Sequence, residues 1–278
     1  MKVSFTLLGG LALVCCMNGM PSSAQTQLPL AATVAPQSVA DRSKALNALF
    51  DEIWQDKLKH SPEYASYLGD KRYNDQLTDY SVKAVNASLL RGRGFIETLG
   101  VIETTDLPDQ EKLSAELMMR SLIDDQEAAK FKEWETPVNQ FSGFHTDLAQ
   151  MPTDLPFDSV KDYADYISRL QKVPTAFLQI TTNMQLGIDD GRMPPEYLLE
   201  KVLVQVQTLA GQKPEDSPFA TPLKKFPKTV SAAEQERISG ELLNIIATDV
   251  LPSYQRFAKF LKMEYVPKGR KAPVVPEV

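Results

Sequence analysis

Thiols are almost missing from this chain: of 278 residues only Cys15 and Cys16 are cysteine, and both lie inside a short apolar N-terminal segment. With that segment removed, there is no disulfide, no cysteine nucleophile and no thiolate metal site. Histidine is nearly as scarce. Only His60 and His145 can offer an imidazole, they lie in separate segments, and the H-E-x-x-H signature of a helical zinc site is absent. Basic runs are missing too, with 30 basic against 36 acidic residues and a formal charge of −6. The nearest approach, Arg91-Gly92-Arg93-Gly94, is short and lacks interleaved aromatics, which argues against a nucleic-acid surface. No G-x-S-x-G elbow, no phosphate-binding glycine loop and no stretch of period-two alternation of strand length is present.

What is there begins with a secretory signal over residues 1–24. Lys2 supplies the positive end, Phe5 to Met17 the apolar run and Ser22-Ser23-Ala24 the small-residue cleavage site, so cleavage falls between Ala24 and Gln25. The apolar run is shorter than the ~20 residues of a membrane span. Leu13-Val14-Cys15-Cys16 is a poor lipoprotein site, because a cysteine directly precedes the one to be modified. Loss of Lys2, the one charged residue in the segment, takes the formal charge from −6 to −7. Residues 25–37 are uncharged and aperiodic and read as a flexible spacer.

The remainder, 43% hydrophobic over the whole chain, is long enough to bury a sizeable core, and its pattern is helical. Three helices with strong apolar faces follow one another from Phe157 to Ala210. Val160, Tyr163, Ile167 and Leu170 share one face of the first, which Pro174 brings to an end. Phe177, Ile180, Met184 and Ile188 line the second, closed by Gly191 as a C-cap. The third is apolar nearly all round, including Leu199, Val202, Val204 and Val206, and such a helix is expected to be enclosed by neighbours. Weaker patterns place helices from Leu46 to His60, from Ser61 with Pro62 at its first position, from Ser81 to about Leu99, and from Pro108 to Lys132. A capping box Ser231-Ala232-Ala233-Glu234 opens a long helix that Pro252 must bend or interrupt. Two irregular stretches punctuate this order: a loop of about 20 residues between Trp134 and Pro156, and Gly211 to Thr229 with its four prolines. The expected fold is all-α, a multi-helix array or bundle with two long irregular loops. Its helical domain spans residues 38–266, followed by a proline-rich basic tail at 267–278 that forms no element.

Candidate chemistry is thin. Asp124-Asp125, Asp189-Asp190 and Glu215-Asp216 are adjacent acids that point apart into water on a helix or loop, and Asp189-Asp190-Gly191 lacks the other ligands of a calcium loop. His60 sits at a helix C-terminus, where a surface role suits the dipole. His145 lies in the first long loop with Asn139, Gln140 and Asp147, and an ordinary loop histidine is the simpler reading.

Four stretches, taken in order and spacing, resemble the bacterial domain-of-unknown-function 885 family. They are Pro137-Val138-Asn139-Gln140 with Gly143; Asp162-Tyr163 through Tyr166, Arg169-Leu170 and Val173-Pro174 to Gly187, Gly191 and Pro194-Pro195; Ser217-Pro218-Phe219 with Lys224-Lys225-Phe226-Pro227; and Leu251-Pro252-Ser253-Tyr254 through Phe260-Leu261 to Glu264-Tyr265 and Pro267. The resemblance implies a secreted or periplasmic helical protein related to gluzincin-type zinc peptidases, about twice this length. Its H-E-x-x-H motif would lie in a C-terminal half beyond Val278. Zinc, the metal ligands and the general base are then expected only in that half, which would be the partner of this one. The present chain would be the N-terminal, substrate-side portion, inactive by itself. By the same analogy Asn139, Gln140 and His145 are candidates for contact with a peptide substrate, since amide side chains both donate to and accept from a peptide backbone. The plainer alternative is that Asn139 and Gln140 tie down their own loop. At the level of the whole chain the alternative is a non-catalytic helical binding or scaffold protein of the cell envelope. The first reading expects exposed apolar surface on the central helices, the second a closed core. Export in a bacterial host should yield a mature chain beginning at Gln25, as read by intact mass or N-terminal sequencing. A first residue upstream of Ala24 refutes the cleavage site.

Overall fold

The computed structural model describes residues 37–271. The signal segment with its Ala24–Gln25 cleavage site, nearly all of the spacer and the end of the tail lie outside the described residues. Within them the architecture is all-α: α1 (Val39–His60), α2 (Pro62–Tyr67), α3 (Val82–Gly100), α4 (Asp109–Ala128), α5 (Phe144–Gln150), α6 (Val160–Leu170), α7 (Val173–Asp189), α8 (Glu196–Ala210), α9 (Ala232–Ile245) and α10 (Leu251–Phe260). No strand occurs among the described residues beyond two isolated bridges, Val138 with Gly143 and Pro195 with Arg270.

Two main apolar cores organise these helices, with a small third cluster of Tyr163, Val230 and Ile238 between α6 and α9. The smaller of the two joins α1, α3 and α4 through Leu46, Leu49, Leu99, Ala115 and Leu122. Gly92 lies beneath the Gln126 amide, which donates to the Leu89 carbonyl, so α3 runs unbroken through the two glycines that weaken its propensity. The larger core is built by α5 to α10. Phe177 lies at its centre, with ring centroids 5.0 Å from Phe144, 4.9 Å from Tyr254 and 5.1 Å from Phe257. Such aromatic pairs add about 0.5–1.5 kcal/mol each beyond the area they bury.

Local sequence explains most helix ends. Ser38, Ser81 and Ser231 cap α1, α3 and α9 through their hydroxyls. Ser159 and Asp162 form a full capping box on α6. At the end of α7, Gly191 takes φ +70°, and the amides of Gly191 and Arg192 donate back to Ile188 and Gly187, a Schellman closure. Only half of the expected box at Ser231 forms, because the Glu234 carboxylate turns to Arg237. At α2, Pro62 occupies the first turn as expected, but the Ser61 hydroxyl makes no cap bond.

Several expectations need correction. The stretch from Trp134 to Pro156 is not one long loop: Phe144–Gln150 is helical and is followed by a 3-10 turn, Met151–Thr153. The run after Gly211 contains 3-10 turns at Pro214–Asp216 and Pro218–Lys224. Helix α8 is not enclosed all round. Leu199, Val202 and Val206 are buried, but Val204 is 62% exposed. The start of the tail is also structured. Val266–Lys268 forms a 3-10 turn, and Arg270 exchanges backbone bonds with Pro194 and Glu196 at the head of α8. Pro252 does not break its helix, because five π-helical residues, Ile246–Val250, carry α9 into α10 and place Pro252 in the first turn beyond them.

The irregular segments are held by side chains from the helices. Tyr166 donates to the Phe219 carbonyl at 3.1 Å, Tyr163 to that of Pro222 at 3.2 Å and Tyr254 to that of His145 at 2.7 Å. Between α2 and α3 the chain has little regular structure, and α6–α7 supply its partners. Arg169 donates to the Tyr73 carbonyl, Lys172 to that of Asp75 and Asn183 to that of Tyr80, while the Gln179 amide oxygen accepts from Tyr80 N–H. Buried backbone groups without regular neighbours thus find partners.

Gly187 on α7 is forced by a close approach: a Cβ there would lie 2.5 Å from the Glu135 carbonyl oxygen, whereas at Gly240 on α9 it would meet nothing. Gly187→Ala should therefore cost about 1–3 kcal/mol in denaturant unfolding. Gly240→Ala should stabilise by up to about 1 kcal/mol. Equal effects at the two sites would refute the packing.

Candidate functional site

The residues flagged by sequence gather around α5. Asn139 is exposed but fully engaged within its own turn: its Oδ1 accepts from the backbone amides of Phe141 and Ser142, and its Nδ2 donates to Ser142 Oγ at 3.0 Å. The Gln140 carbonyl accepts from Gln205 Nε2 at 3.0 Å, and its own side-chain oxygen is buried without a partner. Gly143 takes φ +139° and lies against the Pro137 carbonyl, which closes the turn. At its tip Phe141 is 86% exposed. No periodicity marks that residue, and only its place in the turn reveals it.

His145 is not a loop residue. It lies in α5 at 0% exposure, with its Nε2 3.1 Å from Gln205 Oε1. Because Gln205 Nε2 donates to Gln140, its Oε1 must face the imidazole, so neutral His145 carries its proton on Nε2. Burial pushes the imidazole below its ordinary value, against a smaller upward pull from the Gln205 bond. His60 is far from this region in the chain, near the exposed end of α1 and 3.1 Å from Asp56.

Another face of α5 borders a cleft of about 400 Å³, closed on its other sides by α2, α6 and the stretch from Leu77 to Tyr80. Tyr64, Leu77, Tyr80, Phe144 and Leu155 give it apolar walls, and Asp147 and Asp154 are exposed at its rim. Arg169 lines it at 0% exposure. One guanidinium nitrogen donates to Ser66 Oγ at 2.8 Å and to the Tyr73 carbonyl at 2.7 Å. The second meets only the Met151 thioether at 3.5 Å, and Nε has no partner. Among the described residues no carboxylate lies within ion-pair distance of it; Glu63, on the cleft wall, spends both oxygens on the amide and hydroxyl of Thr78. Burial pushes the guanidinium below its ordinary value, and the more distant charges of Glu63, Asp75 and Asp165 partly restore it. Sequence alone hid this cleft, because its walls come from segments 96 to 103 residues apart, bonded as Arg169 is to Ser66 and Tyr73.

Among the described residues no group of three His, Cys, Asp or Glu side chains could hold a metal ion. With His60 exposed on α1 and His145 enclosed in α5, the donors here do not fit a zinc site, and no step through zinc is derived for them. No helix among the described residues is long and apolar enough to cross a membrane.

Fold and cleft define an all-α protein in which a buried cation underlies an acid-rimmed apolar pocket. The chain belongs to the family described as "Bacterial protein of unknown function (DUF885)", whose pattern matches residues 62–277. A solved structure, described as a "putative lipoprotein" from Colwellia psychrerythraea, shares the fold with a TM-score of 0.71 at 16% identity, over 82% of this chain and 42% of that chain. At that identity the likeness shows the fold alone, and this chain spans less than half the length of that structure. No curated protein matches the chain.

Because the folded pKa of His145 lies below its ordinary 6.5, the unfolded chain takes up this proton first as pH falls. Its stabilisation is fully present above pH 6.5 and is lost as pH falls below that value toward the depressed one. Chemical denaturation should show a loss approaching about 1.4 kcal/mol per pH unit in that window. His145→Gln should flatten it; an unchanged slope would assign the acid sensitivity elsewhere.

Proposed function

We propose that this chain is the substrate-side helical portion of a secreted or periplasmic metallopeptidase-like protein, inactive by itself, whose zinc-binding part lies outside these 278 residues. The observation that carries the reading is the apolar surface left on the central helices. Leu178 is 67% exposed on α7, where Thr175, Thr182 and Leu186 share its outward face without a charge among them. On α8, Tyr197 and Val204 are exposed as well. Large apolar side chains in such positions are the surface a further helical layer would cover. The family match supports the same reading, as does a fold likeness that accounts for only 42% of the longer chain.

The Pro137–Gly143 turn is then the part that meets a peptide. Asn139 fixes the turn, Gln140 and His145 anchor it to α8 through Gln205, and Phe141 offers its ring at the tip. Such a wall contributes by orienting the peptide, which lowers the entropy cost of reaching a reactive pose. The second reading, a self-sufficient envelope binding or scaffold protein, would leave the same apolar residues without a covering layer.

The deciding experiment is to sequence the genomic DNA after the codon for Val278. A frame encoding H-E-x-x-H, continuous or one frameshift away, is the expected result. Its absence removes the catalyst from the metallopeptidase reading and leaves the binding protein.

A further inference from the structure

We infer that the Arg169 cleft is a binding site for a small zwitterion, with a carboxylate on the guanidinium and an ammonium at the acidic rim: a free amino acid or a short peptide with both ends free. This holds whether or not the chain forms part of a longer metallopeptidase-like protein, since it uses only residues of the cleft itself.

The first support is the unspent hydrogen-bonding capacity of Arg169. A guanidinium has five N–H donors in a planar fork, matched in geometry to a carboxylate. Here the two donors of one nitrogen are taken by Ser66 Oγ and the Tyr73 carbonyl. The other donors have no oxygen partner: Nε is unpaired and the second terminal nitrogen faces a thioether 3.5 Å away. A buried cation left in this state is costly, and a carboxylate oxygen reaching the second nitrogen would relieve it. Ser66 and Tyr73 meanwhile hold the fork in place, so little is lost in ordering it.

The obstacle at the second nitrogen is Met151, buried at 6% exposure in the larger core. Its side chain is an unbranched thioether, which repacks more readily than a branched one. A volume of about 400 Å³ suits a ligand the size of one or two residues. The walls, with Leu77, Tyr80 and Phe144, would take an apolar side chain.

Charge at the mouth decides between an anion and a zwitterion. Asp147 and Asp154 are exposed there, and their carboxylates accept long hydrogen bonds from neighbouring threonine hydroxyls, 3.3 and 3.4 Å. A purely anionic ligand such as phosphate would have to pass both carboxylates. A ligand that carries an ammonium behind its carboxylate would find a partner for each.

Titration calorimetry on the 278-residue chain with three probes tests this: L-leucyl-L-leucine, its C-terminal amide and its N-acetyl form. The dipeptide should bind, and the C-terminal amide should bind at least about tenfold more weakly, as the loss of one charge-assisted hydrogen bond requires. N-acetylation should weaken binding by a smaller factor, and the double variant Asp147→Asn/Asp154→Asn, on exposed positions, should abolish that difference while it retains the preference for acid over amide. Free L-leucine binding as tightly as the dipeptide would name an amino acid as the ligand class; tighter dipeptide binding would name a peptide end. Arg169→Met should remove binding, and because that variant loses the Ser66 and Tyr73 anchors, the comparison of acid with amide on the unaltered protein stands as the independent measure. No binding of any probe at millimolar concentration, or equal affinity for acid and amide, overturns the proposal. So does tight binding of inorganic phosphate without the dipeptide.

Discussion

A guanidinium enclosed without a carboxylate is the constraint on which the arrangement around the cleft depends. Removing an ion from water costs several kcal/mol even after the protein relaxes. Arg169 recovers part of that through Ser66 Oγ and the Tyr73 carbonyl, and the Ser66 hydroxyl in turn donates a hydrogen bond to Asn74 Oδ1 at 2.7 Å. Ser66 lies in α2 and Tyr73 and Asn74 in the turn after it, so the charge can be buried only if this segment folds against α6. The same segment relies on Lys172, Gln179 and Asn183 for further backbone bonds. Polar side chains of two helices therefore fix a segment that has no ladder of its own. Through it they join the small core of α1, α3 and α4 to the larger one.

This dependence explains what could be read from the chain. Helices α6, α7 and α9 announce themselves because their buried residues, such as Phe177, Ile180 and Met184, recur at the spacing of one helix face. That spacing is set by the core and survives in the sequence. The polar anchors carry no comparable signal: Gln179 and Asn183 share a stripe four residues apart, yet a Gln–Asn pair at that spacing reads equally well as a solvated face. Arg169 was legible only as part of a family pattern, with nothing to say that its side chain points inward. Helix α5 escaped notice because seven residues between a glycine and a proline give too few turns for a period to emerge.

Candidate site residues were legible in the same partial way. One turn and one helix hold Asn139, Gln140 and His145, and Gln205 bridges the last two. Exposure, however, is set by tertiary contacts that no local pattern records. The imidazole that looked accessible is sealed beneath α8 and α10, while Phe141, apolar and unremarkable in sequence, projects into water.

Helix α10 carries the last link between fold and cleft. Tyr254 is fully buried and donates to the His145 carbonyl at 2.7 Å, so the position of α5, one wall of the cleft, depends on where α10 points that hydroxyl. Four residues earlier the chain leaves its π-helical turn, Ile246–Val250. A π turn inserts one residue into an α-helical register and rotates everything beyond it by about 100° about the axis. The widened turn also precedes Pro252, whose ring would otherwise press on the carbonyl of the preceding turn. The residue that looked like a helix breaker thus sits where the helix has already made room, and the same irregularity aims Tyr254 at α5. Deleting one residue from Ile246–Val250 would return the chain to α-helical register and turn Tyr254 away from its acceptor, leaving a buried hydroxyl unpaired. The local cost of the π turn is therefore offset at a distance, by the helix it holds against the Arg169 cleft.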